Sequence, residues 1–327
     1  MSKVRAISLL SGGLDSLLAI KVLEEQGIEV VGITFVSPFF GSKNAERGAA
    51  QLDVELVVLD ITDEHLAMVK GPRHGYGKYM NPCIDCHALM IKRAGQIMEK
   101  EGYALIATGE VLGERPMSQN RQSLNTVARN SGFGDYLLRP LSAKLLPPTK
   151  PETEGLVDRE RLFAIEGRSR KPQMELAKKY GIKSYVQPAG GCLLTDPHFS
   201  VRLTELFKEN PDADAEEVSL LKLGRHFRLS SGAKVIVGRD EKDNERIMTH
   251  LNADRTLIIS DITPGPVALL IGSADQKDTD MAAKLCASYA DKGFGSVDME
   301  IIGKLGKSRI KAEQKDRIEF KKIKIGR

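Results

Sequence analysis

Ser11-Gly12-Gly13-Leu14-Asp15-Ser16 joins a short apolar run, residues 4–10, to an amphipathic pattern over residues 17–25. This junction constrains the fold more than any other stretch. The run reads as a buried strand, the pattern as a helix, and the glycines as the hinge between them. Small residues let the N–H groups of such a turn converge on an oxyanion, and the helix start adds partial positive charge. Ser11 and Ser16 offer hydroxyl donors, and Asp15 is placed to hold a magnesium ion that bridges phosphates. The turn lacks the lysine of a G-x-x-x-x-G-K-[ST] loop and is not a dinucleotide fingerprint, which disfavours kinase-type transfer. Taken alone, Ser-Gly-Gly is equally compatible with a tight capped turn.

Strand-like runs at residues 30–36, 56–61 and 104–108 alternate with helical patterns at 44–51, 87–101 and 118–130. That alternation predicts an α/β domain with a parallel sheet, its phosphate turn at the carboxyl end of the first strand. At 327 residues the chain is long enough for two domains. The boundary is expected near Phe199, with an N-terminal domain over 1–199 and a smaller α+β domain over 200–327. No apolar run approaches the ~20 residues that span a bilayer, and the N-terminus leads into the first strand without a cleavage pattern, so a cytoplasmic protein without membrane association is expected. The formal charge of +4 is unevenly spread: residues 304–327 carry ten Lys or Arg against three acids, +7, which leaves −3 for the remainder. A basic C-terminal arm on a slightly acidic body is the expectation.

The full SGGLDS motif at the end of the first strand resembles the PP-loop of the ATP pyrophosphatase superfamily, whose fold is adenine nucleotide α-hydrolase-like. The resemblance implies that Ser11, Gly12, Gly13, Asp15 and Ser16 bind the pyrophosphate part of ATP, and that ATP is split between its α and β phosphates while an acceptor oxygen takes AMP. TFVSPFF in the second strand and TGEVLGERPMSQN after the strand ending at Thr108 resemble stretches of tRNA 4-thiouridine synthetases; they imply Phe35 near the adenine and Thr108 and Gly109 beside the nucleotide. Together these matches cover about the first 200 residues. Neither the RNA-binding region that precedes this domain in those synthetases nor a rhodanese-like C-terminal domain is evident, so an RNA grip is expected elsewhere. A homodimer, one chain gripping RNA for the other's site, is one way to supply it.

Four cysteines, Cys83, Cys86, Cys192 and Cys286, are too few and too unevenly placed for a secreted disulfide framework. NPCIDCHALM sets Cys83 and Cys86 at C-x-x-C spacing before a helix, and QPAGGCLLTDP brings Cys192 from a glycine-flanked loop. Three readings compete: a [4Fe–4S] cluster held at three corners, with one iron open to exogenous sulfide; a cysteine nucleophile or persulfide with a resolving partner; and structural zinc completed by His87 or His198. The N-P-x-x-x-C arrangement is similar to the catalytic loop of tRNA 2-thiouridylases, where Cys86 would match the first catalytic cysteine and Cys192 the second. Cysteine at position 83 resembles the iron–sulfur branch of tRNA thiolases, which favours the cluster. Cys286 lies on an apolar helical stripe and reads as core, and His65, His74 and His250 read as packing or surface residues.

LGRHFRLSSGAKVIVGRDEKDNERI resembles the RNA-binding module of the NFACT group of ribosome-associated proteins. It implies that Arg225, His226, Phe227 and Arg239 lie near a nucleic-acid surface, although Phe227 is more readily a core residue of its strand. With Lys304, Lys307, Arg309 and Lys311, these residues would form a phosphate-tracking face. The expectation is an ATP-dependent tRNA sulfurtransferase using ATP, Mg2+ and a [4Fe–4S] cluster, with tRNA and a sulfide or persulfide donor as partners. The alternatives are sulfur insertion into a small molecule or carrier, and a non-catalytic ATP-binding RNA or ribosome-associated factor.

Overall fold

The computed structural model describes residues 3–186, 191–261, 265–272, 275–291, 295–304 and 306–326. The chain divides into two compact units, Met1–Thr195 and Asp196–Arg327.

The first unit alternates strand and helix: β1 (Arg5–Leu9), α1 (Leu14–Glu24), β2 (Glu29–Val36), α2 (Lys43–Leu52), β3 (Leu56–Asp60), α3 (Thr62–Lys70), α4 (Cys83–Glu101), β4 (Leu105–Ala107), α5 (Arg121–Ser131), β5 (Leu137–Leu138), α6 (Lys150–Thr153) and α7 (Lys171–Lys179). The strands form one parallel sheet in the order β3-β2-β1-β4-β5. The order reverses between β1 and β4, and such a switch point opens a crevice at the carboxyl ends of the strands. Helices cover both faces. Leu14, Leu17 and Leu18 of α1 pack with Leu105 and Leu138 on one side, while Ile91, Ala94 and Met98 of α4 pack with Ile7, Ile33 and Ile106 on the other. Being covered twice, β2 is buried along nearly its whole length.

The second unit comprises α8 (Pro197–Glu209), α9 (Ala215–Leu220), β6 (Arg225–Arg228), β7 (Lys234–Val237), α10 (Glu241–Met248), β8 (Arg255–Ser260), β9 (Val267–Ile271), α11 (Gln276–Ala287), β10 (Ser296–Gly303), β11 (Gly306–Glu313) and β12 (Lys324–Ile325). Its sheet has the order β11-β10-β8-β9-β7-β6-β12. The pairings are antiparallel. Alternation sends Phe227, Val235, Ile258, Leu270 and Met299 into a core with α11, and Ile236, Leu257 and Leu269 into a second core with Ile247 of α10. Cys286 is wholly buried in the first of these, the core role read for it. The basic C-terminal stretch is not a loose arm: β11 and β12 are hydrogen-bonded into the sheet, and Arg317–Phe320 forms a short 3-10 turn between them. Among the described residues, no helix is long and apolar enough to cross a membrane.

Candidate active site at the glycine turn

The chain leaves β1, turns through Ser11, Gly12 and Gly13, and enters α1 at Leu14. Gly12 has φ +78°, and a Cβ there would stand 2.2 Å from the carbonyl oxygen of Asn44. Only glycine fits on both counts. Gly13 is the N-cap of α1 and gives it no side-chain cap. Ser16 Oγ turns back to donate to the Gly13 carbonyl at 2.8 Å and lies 3.3 Å from Ser11 Oγ. The first-turn amides of α1 therefore remain open at the carboxyl edge of the sheet, the arrangement that binds phosphate or carboxylate.

The strand beside β1 closes against this turn. Thr108, buried just past the end of β4, donates its N–H to the Leu138 carbonyl. A Cβ on Gly109 would meet the Asp15–Ser16 peptide at 2.4 Å, so this glycine permits backbone-to-backbone contact with the start of α1. Asp15 is largely buried, which pushes its carboxyl up against the opposing charge of Arg170. Burial, followed by the Asp15 charge, likewise raises Glu114. Neither Glu114 nor Arg170 was singled out from the sequence. Phe35 is corrected: its ring is 4% exposed and belongs to the core beneath α4, because a central parallel strand has no solvent face.

Cys83 and Cys86 occupy the first turn of α4, three residues apart and hence on one face of the helix. Asn81 Nδ2 donates to Cys83 Sγ at 3.2 Å. Cys192 lies in the loop after α7, where the Thr195 N–H donates to its carbonyl at 3.1 Å and the Leu194 and Thr195 amides favour its thiolate. The Leu193 N–H donates to the Phe39 carbonyl and ties this loop to the one after β2. The three thiols converge within electrostatic reach of one another. Burial pushes Cys86 well up, and Cys192 and Cys83 add to the rise. Burial takes Cys192 to about 11. Residues 187–190, part of the glycine-flanked loop, lie outside the described residues.

Two histidines meet this site. His65, read as a packing or surface residue, is wholly buried between Phe39 and Phe40 with Nε2 3.3 Å from Cys86 Sγ. Burial lowers it to about 4, so the imidazole is neutral. His87 is turned the other way, its Nδ1 donating to Glu110 Oε1 at 2.8 Å. Glu110 also accepts from Arg139 Nε at 2.8 Å and from Thr108 Oγ1 at 3.2 Å. Among the described residues no three His, Cys, Asp or Glu side chains are grouped to hold a single metal ion.

In the second unit the expected nucleic-acid face separates into parts. Lys307, Arg309 and Lys311 alternate along β11 on the face opposite Ile310 and Ala312, with Lys304 exposed in the preceding turn. Lys307 lies 3.2 Å from Glu300 and Arg309 lies 3.6 Å from Asp261. Arg225 sits five strands along, near the other end of the sheet, on the opposite face, donating to the Gly238 carbonyl and stacked over Tyr289. Arg239 is held by Asp243 and by the Lys222 carbonyl. His226 is corrected: it is fully buried, with Nε2 bonded to the Leu223 carbonyl at 2.7 Å. Phe227 is core.

Comparison with known proteins follows the same division. Residues 1–144 match the family described as "Thiamine biosynthesis protein (ThiI)", and residues 224–322 match the "NFACT protein RNA binding domain". The chain is 23% identical over 199 residues to a probable tRNA sulfurtransferase of Anoxybacillus flavithermus, an alignment covering 50% of this chain and 49% of that one. It is 29% identical over 147 residues to a probable tRNA sulfurtransferase of Thermococcus kodakarensis, covering 42% and 36%. A solved 4-thiouridine synthetase–RNA complex with bound ATP aligns at 20% identity and a TM-score of 0.35, over 55% of this chain and 52% of that one. The chain thus spans about half or less of the length of these curated relatives.

Proposed function

We propose that this chain is an ATP-dependent tRNA sulfurtransferase. The triphosphate lies against the open amides of α1, where Asp15, with an unpartnered buried Oδ1, is suited to Mg2+. A uridine or cytidine carbonyl oxygen attacks the α-phosphate, pyrophosphate departs, and the base oxygen carries AMP. A sulfur nucleophile then adds at the activated carbon, and AMP leaves with the oxygen. Amides fixed at the helix start stabilise the departing pyrophosphate without reorganising.

A [4Fe–4S] cluster on Cys83, Cys86 and Cys192 would supply an open iron for sulfide brought by a donor. The chain's own residues prepare that place: Asn81 donates to Cys83, neutral His65 flanks Cys86, and the Leu194 and Thr195 amides favour the Cys192 thiolate. What supports the reading is that Cys192, from a distant segment, acts electrostatically on Cys86 beside Cys83, while Gly109 and Glu110 link the helix bearing Cys83 and Cys86 to an uncapped helix start that follows a glycine turn. The basic face of β11, within the segment that matches the NFACT domain, is the proposed grip on tRNA phosphates.

Conversion of ATP to AMP and pyrophosphate, stimulated by unfractionated tRNA in the presence of sulfide, tests the reading. A thionucleoside profile unchanged between cells with and without the gene refutes it. Anaerobically reconstituted protein is expected to absorb broadly in the visible and to lose that absorption on Cys83→Ala; full thiolation by iron-free protein removes the cluster. A second reading, sulfur insertion into a small molecule or carrier, is favoured by the description of the family matched by residues 1–144. It predicts turnover stimulated by small acceptors and not by tRNA.

A further inference from the structure

Beside the glycine turn, several polar groups lack the hydrogen bonds that their burial demands. Among the described residues, Asp15 Oδ1 and Arg170 Nε have no partner at hydrogen-bond distance, and the Gln173 amide gives the Asp15 carboxyl no more than a minor bond. Gln173 is fully buried. The Arg170 guanidinium stands between two carboxylates, with Nη2 3.5 Å from Asp15 Oδ2 and Nε 3.8 Å from Glu114 Oε1. These distances permit ion pairing but are too long for good hydrogen bonds. A guanidinium loosely shared by two acids is held at its post and remains short of acceptors.

The fold fixes this arginine near the phosphate turn. Arg170 is the N-cap of α7, whose Leu176 and Ala177 pack into the same core as Leu14, Leu17 and Leu18 of α1. Glu114 comes from the segment that follows Gly109 past its contact with the Asp15–Ser16 peptide. Arg170 and Asp15 are thus under-bonded beside Glu114, and a ligand carrying both signs, a divalent metal with phosphate, satisfies both at once. The turn itself supplies no lysine for the terminal phosphates.

We propose that Arg170 receives the pyrophosphate end of the nucleotide, exchanging its loose contacts with Asp15 and Glu114 for paired bonds to phosphate oxygens and leaving the two acids to magnesium. The proposal rests on the ATP reading above and adds to it the residue that binds the leaving group. A merely structural Arg170, tying α7 to the turn, would alter stability without altering phosphate affinity.

Titration calorimetry of the full chain with magnesium pyrophosphate, and separately with AMP, tests this. Arg170→Ala is expected to weaken pyrophosphate binding about ten- to a hundredfold, the range of a lost charge-assisted pair, and to keep AMP within about twofold of wild type. Should that variant not fold by circular dichroism, Arg170→Lys, which keeps the charge but not the planar fork, is expected to weaken pyrophosphate several-fold. Wild-type pyrophosphate affinity in the folded Arg170→Ala protein, or in Arg170→Lys where only that variant folds, overturns the inference and leaves the ATP reading standing. A wild-type chain that binds neither ATP nor pyrophosphate overturns both.

Discussion

Replacement of Glu110 by alanine tests how the site is held together. Glu110 and Arg139 each have side chains only 7% exposed, and their contact at 2.8 Å is joined by bonds from His87 and Thr108. Burial alone would push the Glu110 carboxyl up; the Arg139 charge and the His87 bond outweigh it and hold the group well below the usual carboxylate range. Removing the acid leaves a guanidinium buried with, among the described residues, only the Leu124 carbonyl, 3.2 Å from Nη2, as acceptor. Breaking a buried pair in this way costs about 3–5 kcal/mol, a large fraction of the ~5–15 kcal/mol that stabilises a domain.

The loss is best read locally, since the chain has two units. Hydrogen exchange in peptides covering α4 and β4 should accelerate about a hundred- to a few thousandfold, at roughly tenfold per 1.4 kcal/mol. Replacing both partners, Glu110→Leu with Arg139→Met, should restore most of the protection, because a buried pair exchanged for apolar volume is often near neutral. Because the folded carboxyl is held low, its stabilisation is present above its ordinary value of 4.5 and fades as the pH falls below it. Exchange within about tenfold of wild type in Glu110→Ala, or a double variant no better protected than the single, would refute the reasoning.

Gly12→Ala should lower stability by about 2 kcal/mol or more through left-handed strain and the clash with Asn44, and should abolish ATP binding, as read by thermal melting and calorimetry. Burial lowers Lys234 to about 8, so between pH 8 and its ordinary 10.5 the unfolded chain holds the extra proton and stability rises with pH. Lys234→Met should therefore stabilise the second unit at pH 7, by up to about 3 kcal/mol, with the gain vanishing above pH 10.5 in urea titrations. Iodoacetamide labelling of Cys192 in metal-free protein should quicken about tenfold per pH unit from 7 to 10, since its thiol is raised to about 11; a profile that levels off near pH 8.5 contradicts that burial. Triple alanine substitution of Lys307, Arg309 and Lys311 should flatten the salt dependence of tRNA binding by roughly 2–3 in log–log slope, and an unchanged slope would place the RNA elsewhere.

What could be read from the sequence was local. SGGLDS announces a strand, a turn and a helix within twenty residues, and the strand at Arg5–Leu9 and the helix at Leu14–Glu24 follow it. The helix begins three residues earlier than its apolar pattern, because Gly13 already serves as N-cap. β5 has only two residues, too few to show a period, and Thr62–Lys70 has an amphipathic signal too weak to stand out between loops. Phe35 and His226 were misplaced for a shared reason: a motif names residue types, whereas exposure depends on which faces of a strand are covered. The alternation Lys307-Ser308-Arg309-Ile310-Lys311-Ala312 did carry the signal of an edge strand with one wet face, although net charge alone suggested an arm. The pairs His87–Glu110, His65–Cys86 and Arg170–Asp15 left no local trace, because each is made only when separate elements meet at the carboxyl edge of the sheet.

Under the proposed function, that edge explains how two kinds of chemistry share one place. The backbone of Gly109 rests on the first peptide of α1, and the next residue, Glu110, grips His87, the neighbour of Cys86. Phosphate turn and thiols are therefore joined through residues 108–110, anchored by the Arg139 charge behind them. Displacement at a carbon activated by AMP loses orders of magnitude in rate when reacting atoms are misplaced by about an ångström. A strut of three residues, packed on backbone at one end and ion-paired at the other, holds that tolerance better than two mobile loops meeting across solvent. It also gives a physical reason for a carboxylate at position 110, where an apolar residue would fill the space but let the thiol-bearing helix turn.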